Sequence, residues 1–224
     1  MPIDLSPEKK IELVSLTQTY VRETLQSDSS GHDWWHIHRV RNLALRLAQA
    51  EEADVFVSEL GALLHDIADW KFHHGDTEIG AQRAAQWLRS LDVPEEITLQ
   101  VSAIVSSISF KGAGVKPEPL SLEGAVVQDA DRLDAIGAVG IARTFAYGGH
   151  FNRTMHDPSI NPTEHQTFEQ YKNNEGTTIN HFYEKLLLLK ARLNTASAKQ
   201  IAQHRHDYME NFLTEFFAEW QGER

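Results

Sequence analysis

The sequence contains no cysteine among its 224 residues, which excludes disulfide bonds and thiolate metal ligands. Any metal ion would therefore be held by nitrogen and oxygen atoms. Basic residues are also scarce, with 21 Lys and Arg against 32 Asp and Glu, which gives a net charge of −11. Because this charge repels a phosphate backbone, we expect no general binding to nucleic acid, whereas a small phosphate ester remains compatible with it.

Long apolar runs are missing as well. No stretch approaches the roughly 18–20 apolar residues that a transmembrane helix needs. The first ten residues include Pro7 and two acidic side chains and contain no apolar signal-peptide core. We therefore expect a cytoplasmic protein that does not interact with a membrane.

The apolar residues recur at three-to-four spacing almost throughout, and no long stretch alternates with period two, so the pattern predicts an all-α fold. Glycine and proline mark loops at about 110–119 and 147–161. The predicted helices cover approximately residues 7–26, 34–50, 54–67, 77–91, 94–108, 121–131, 134–146, 177–193 and 195–220.

The dipeptide His-Asp occurs four times, beginning at His32, His65, His156 and His206, so it carries little information without its context. The His206 pair lies in a polar part of the last helix and the His156 pair in a proline-containing loop, and we expect both histidines at the surface. The pair His65-Asp66 instead ends an apolar run. Burying an imidazole beside a carboxylate is costly unless a cation pairs with them.

Two further segments offer ligands of the same kind. His36 lies early in the second helix, and Asp129, Asp131 and Asp134 crowd a segment that directly follows apolar residues. Carboxylates this close repel one another in a core that holds no cation. The donors predict a mixed nitrogen and oxygen site that favours Mn²⁺ or Mg²⁺, with Fe²⁺, Co²⁺ or Zn²⁺ as alternatives. Ordinary hydrogen-bonded structural histidines are the competing interpretation.

The order of these residues resembles the H…HD…D signature of HD-domain phosphohydrolases. His36 is followed by Arg39, then come His65-Asp66 and the string Asp131-Arg132-Leu133-Asp134. The strings at 31–36, 129–137 and 180–186 are similar to the YedJ/YpgQ branch, and the likeness covers about residues 6–220.

This resemblance implies one divalent ion held by His36, His65, Asp66 and Asp131. It also implies a single helical HD domain over residues 1–224, with a metal-binding core at about 30–150 and C-terminal helices at about 164–220 packed on it. The activity it implies is hydrolysis of nucleoside triphosphates to monophosphate and pyrophosphate.

One departure from the branch is visible at Ser106–Phe110, where a histidine is expected and none occurs. Binuclear HD proteins draw additional histidine ligands from between the HD pair and the last aspartate. Here only His73 and His74 follow the pair before His150. The sequence therefore favours a mononuclear site.

Further residues have predicted roles around this ion. Asp69, three residues after Asp66, would orient or deprotonate the attacking water if the helix continues. Asp33 is expected to cap the second helix. The residues predicted to contact the phosphates are Lys71, Lys111, Arg143 and His150, and those predicted to orient the ligand side chains are Arg39, Arg132 and Asp134.

Three functions remain open at this point. The first is hydrolysis of a nucleoside triphosphate at its α-phosphate. The second keeps the site but acts on a nucleoside monophosphate or a guanosine-tetraphosphate alarmone. The third is a nucleotide-binding or sensing protein without turnover, because a complete motif does not by itself establish activity.

Overall fold

The computed structural model describes residues 5–26, 33–68, 78–108, 119–163 and 176–224. Within these ranges all regular structure is helical, which confirms the all-α prediction. The α-helices are α1 (Pro7–Leu25), α2 (Trp34–Ala50), α3 (Val55–Leu64), α4 (Ile79–Ser90), α5 (Glu95–Ser107), α6 (Leu122–Asp134), α7 (Gly137–His150), α8 (Asn180–Glu184) and α9 (Ala196–Trp220). Among the described helices, none is both long and apolar enough to cross a membrane.

Local side-chain caps determine where several of these helices begin. Ser6 accepts a hydrogen bond from Lys9 N, Asp33 from His36 N and Asp54 from Val57 N. Each cap satisfies one of the backbone N–H groups that a first helical turn leaves without a partner. The predicted cap at Asp33 is confirmed, and α2 has the bounds that the apolar periodicity predicted.

The chain forms two compact units, and their boundary falls within α6. The first unit holds the described residues up to 108 together with 119–131. In it α2 packs on α3, α3 on α1 and α5, and α4 on α5. The indole of Trp87 stacks on Tyr20 with ring centroids 4.0 Å apart and donates to Thr17 Oγ1, which joins α4 to α1.

The second unit holds the described residues from 132 onward. Here α9 packs on α7, and the rings of Phe145, Phe182 and Phe212 meet one another at centroid distances of 5.8–6.2 Å. The organisation of the whole chain as a single domain stays a prediction.

Two helix ends differ from the prediction on either side of residue 135. Helix α6 continues to Asp134, because Leu133 is fully buried and extends the apolar stripe. Helix α7 begins only at Gly137, whose φ of 79° makes the turn between the two helices. A side chain at this φ would be strained, and a Cβ here would lie 3.0 Å from the stem of Arg205.

Helix α7 also extends further than predicted, through residues 147–150, which were expected to form a loop. The two glycines that suggested the loop are helical. A Cβ on Gly148 would lie 2.4 Å from Thr178 Oγ1, so this position requires a glycine because the side chain of Thr178 lies so close. Gly148 therefore marks a tight contact, and neither glycine breaks the helix.

The predicted helix at 177–193 is also wrong as a continuous element. Helix α8 ends at Glu184, and two 3₁₀ turns, Leu186–Leu188 and Lys190–Arg192, follow it. Lys185 leaves the helical region with φ −142° and ψ −59°. The shorter turns still bury Leu186, Leu189 and Leu193, so the apolar spacing is satisfied without a regular α-helix.

Candidate metal centre

His65 and Asp66 lie immediately after the most completely buried helix of the first unit. Every residue of α3 from Leu60 to Leu64 is buried, and His65 is its C-cap. The predicted continuation of this helix to Ile67 is wrong, because residues 65–68 form a turn. His65 Nδ1 donates to Ala62 O at 2.8 Å, so in the neutral ring the lone pair is on Nε2.

His36 comes from the first turn of α2. Its side chain is 1% exposed, because Ile37 and Val40 on the same helix are fully buried and His36 shares their side of the helix. Asp33, three residues before His36, caps the helix and so determines where it starts. The start of the helix in turn determines the direction of the His36 imidazole.

Asp131 lies at the edge of the buried stripe of α6. Val127 and Ala130 are fully buried, whereas the Asp131 side chain is 36% exposed. Asp66 is intermediate, with 20% of its side chain exposed. The imidazoles thus form the buried wall of the site, and the carboxylates reach its solvent side.

The ligand atoms of these four side chains converge. His36 Nε2 lies 3.2 Å from His65 Nε2, 3.4 Å from Asp66 Oδ2 and 3.5 Å from Asp131 Oδ1. His65 Nε2 lies 3.7 Å and 3.9 Å from the same two carboxylate atoms. Two ligands about 2.1 Å from one ion lie about 3.0 Å apart at a right angle and about 3.4 Å apart at a tetrahedral angle.

The observed spacings are therefore close to those of atoms around one divalent cation. Ligand atoms of His36, His65 and Asp131 all lie within 4.8 Å of one another, and Asp66 approaches both histidines. The site brings together two carboxylates and an imidazole lone pair, and such acceptors repel one another in the absence of a cation. The carboxyl end of α3 adds the negative end of a helix dipole at the same place.

The residues that follow Asp131 make contacts of their own within the second unit. The buried carboxylate of Asp134 accepts from Arg143 Nη1 at 2.8 Å, and the buried Arg132 donates to the carbonyl of Arg192. Arg205 donates to the carbonyl of Leu133. Sequence reasoning missed Arg205, because nothing in the sequence signals a contact between residues 72 positions apart.

The other predicted residues are placed as follows. Arg39 is partly buried on α2, and His150 is exposed at the end of α7 with its ring 4.7 Å from that of Phe151. Asp69, Lys71 and Lys111 lie outside the described residues. The roles assigned to all of these side chains, and to Arg132, Asp134 and Arg143, stay predictions.

Neither of the other two described His-Asp pairs is an ordinary surface pair. His206 is buried at 8% exposure, with Nε2 3.3 Å from Glu210 Oε1, so its predicted surface position is wrong. His156 is partly buried, and its ring lies edge-on to Phe216, Phe217 and Trp220 at 4.8–5.9 Å. His156 is partly buried because its ring packs against aromatic residues of α9. His206 is buried because it belongs to the apolar stripe of α9 itself.

The sequence is similar to a known domain family and to a bacterial protein. The sequence model of the HD domain matches residues 34–136. The YpgQ protein of Bacillus subtilis is 37% identical over 207 residues, covering 92% of each chain.

Solved structures of related proteins are also similar to this chain over nearly its whole length. A crystal structure from Lactobacillus plantarum has a TM-score of 0.84 at 42% identity, covering 98% of this chain and 100% of the other. An HD-superfamily hydrolase from Bacillus thuringiensis has a TM-score of 0.73 at 44% identity, with 95% and 98% covered. YpgQ in complex with ADP has a TM-score of 0.74 at 32% identity, with 93% and 95% covered.

Proposed function

Because this chain belongs to the HD-domain superfamily, in its YpgQ-like branch, we propose that it is a metal-dependent phosphohydrolase that converts nucleoside triphosphates to monophosphates and pyrophosphate. The observation that carries this proposal is the convergence of His36, His65, Asp66 and Asp131 with two carboxylates on the solvent side. The complex of the related YpgQ protein with ADP supports a nucleotide as the ligand.

The four ligands would hold one divalent ion, which on binding would neutralise phosphate charge and acidify a water molecule. Mn²⁺ and Mg²⁺ suit the two carboxylates, while the two imidazoles also suit Fe²⁺, Co²⁺ and Zn²⁺. The buried imidazoles exclude water from the inner wall of the site, so a phosphate ester would approach from the side of Asp66 and Asp131.

The remaining roles come from the sequence. Asp69 would accept the proton of the attacking water, which is general-base catalysis. Lys71, Lys111, Arg143 and His150 would bind the negative phosphates. Arg39, Arg132 and Asp134 would orient the ligand side chains.

A panel of nucleotides with each candidate metal, followed by separation of the products, tests the proposal. Pyrophosphate together with a nucleoside monophosphate is the expected result. Orthophosphate from a nucleoside monophosphate, or pyrophosphate from an alarmone, would assign the site to those substrates instead. Tight nucleotide binding without turnover under any metal would indicate a sensing protein and would overturn the enzymatic assignment.

A further inference from the structure

An exposed tryptophan directly precedes the first metal ligand. Trp35 is 59% exposed, whereas the side chain of its neighbour His36 is 1% exposed. Water is a poor environment for an indole, so a ring left this open one residue before a candidate metal ligand is available for a planar partner. The metal site itself does not require an aromatic residue at this position.

Contacts along α2 restrain this ring. The imidazole of His38 lies edge-on to the indole of Trp35, with centroids 5.9 Å apart and planes at 84°. The same imidazole lies 6.1 Å from the ring of Trp34, and its Nε2 is 3.2 Å from Asn42 Nδ2. Trp35 is therefore supported on one side, which lowers the entropic cost of binding a ligand on its open surface.

Helix geometry places this ring within reach of a ligand bound at the metal centre. Trp35 and His36 are consecutive, so their side chains diverge by about 100° and both lean toward the amino end of α2. On a helix about 10–12 Å across with its side chains, two side chains that diverge by about 100° end on the order of 10 Å apart. An extended nucleotide with its phosphates at the metal centre can carry its base over such a distance.

We propose that Trp35 is the stacking surface for the base of the nucleotide whose phosphates bind at the metal centre. This inference rests on the proposed function for its substrate class and adds the residue that would contact the base. Because every base presents a flat face, stacking on an indole would support affinity with little discrimination between bases.

Binding measurements on the Mn²⁺-loaded protein distinguish the contribution of the base to affinity from that of the phosphates. Calorimetric titration with ADP and with inorganic pyrophosphate is compared for the native chain, Trp35→Ala, Trp35→Phe and the control Tyr208→Ala. Tyr208 is a 50% exposed aromatic residue on α9. We expect Trp35→Ala to raise the dissociation constant of ADP on the order of ten-fold and Trp35→Phe to restore most of the loss. Pyrophosphate binding, Mn²⁺ affinity and the Tyr208→Ala variant should be unchanged.

Three results would overturn the inference. The first is an unchanged affinity for ADP in Trp35→Ala, and the second is an equal loss for ADP and pyrophosphate. The third is a native chain that binds ADP no better than pyrophosphate. Because the readout is binding, a chain that shows the Trp35 effect yet hydrolyses no triphosphate would refute the proposed function alone. A chain that hydrolyses triphosphates without the Trp35 effect would refute only this inference.

Discussion

At the scale of single residues, the orientation of the His65 ring is determined by a hydrogen bond to the last turn of α3. The bond from Nδ1 to Ala62 O leaves Nε2 as the atom that faces His36 and the two carboxylates. A ligand nitrogen held in this way needs no reorganisation when a cation binds. The same carbonyl would be available to any residue 65, but only an imidazole can donate this bond from one ring nitrogen and coordinate a metal with the other.

The described His-Asp pairs provide an internal control for this site. We expect His65→Ala and Asp66→Ala to lose the metal and the activity together, because each removes one of four converging ligands. His156→Ala and His206→Ala should keep both. His206→Ala should still lower the free energy of unfolding by about 1–3 kcal/mol, since it removes a buried ring.

Metal content by elemental analysis, hydrolysis rate and chemical unfolding of the four variants distinguish these effects. Loss of metal in His206→Ala comparable to that in His65→Ala would mean that the wrong pair has been assigned to the site.

A second residue-scale prediction separates catalysis from ligation at Asp69. If this carboxylate accepts the proton of the attacking water and does not bind the ion, Asp69→Asn should retain the metal and lower kcat by roughly 10²- to 10⁴-fold. The change should fall on kcat and not on KM, because the phosphates remain anchored by other groups. Steady-state kinetics with parallel metal analysis are the measurement. An unchanged rate removes the catalytic role, and loss of metal makes Asp69 a ligand.

At the scale of helices, α7 is placed by a contact that tolerates no side chain. A Cβ on Gly148 would lie 2.4 Å from Thr178 Oγ1, and one on Gly149 would meet nothing within 4 Å. The two neighbouring glycines therefore have opposite consequences in the same helix.

We expect Gly148→Ala to lower the free energy of unfolding by about 1–3 kcal/mol, because the new methyl group overpacks the contact with Thr178. The matched control Gly149→Ala should leave stability unchanged or raise it by up to about 1 kcal/mol, since alanine favours a helix more than glycine does. Chemical unfolding of both variants is the measurement. Equal stabilities would show that the Thr178 contact is not closely packed in solution.

At the scale of the whole molecule, the ion should act as a structural element as well as a cofactor. The proposed ligands come from α2, from the turn after α3 and from α6, so a bound ion would link three separate segments of the chain. A cation that binds only the folded chain stabilises it in proportion to the logarithm of its concentration.

We expect about one divalent ion per chain, because four ligands converge on one centre. Removing the ion with a chelator should lower Tm by roughly 5–10 °C relative to protein with metal at about a hundred-fold excess over its Kd. Elemental analysis and thermal unfolding with and without chelator measure both quantities. Two irons per chain with the optical signature of an oxygen bridge would contradict the mononuclear assignment.

Local interactions explain why much of this architecture could be predicted from the sequence. Helix periodicity and a cap such as Asp33 act over three or four residues, and the bounds of α2 were predicted correctly for that reason. The order of the motif predicted that His36, His65 and Asp131 lie close together, and the structure brings these three together. The predicted role of Asp69 assumed a helix beyond Leu64, whereas residues 65–68 form a turn.

The features that sequence reasoning missed depend on residues far apart in the chain. The need for a glycine at position 148 follows from its contact with Thr178, and the burial of His206 follows from the packing of α9. The bond from Arg205 to the carbonyl of Leu133 joins residues 72 positions apart. The sequence by itself therefore determined the helical class, the family and the candidate ligands. Only the tertiary structure decided where helices end and which side chains are buried, because those outcomes depend on the surfaces that distant segments present to one another.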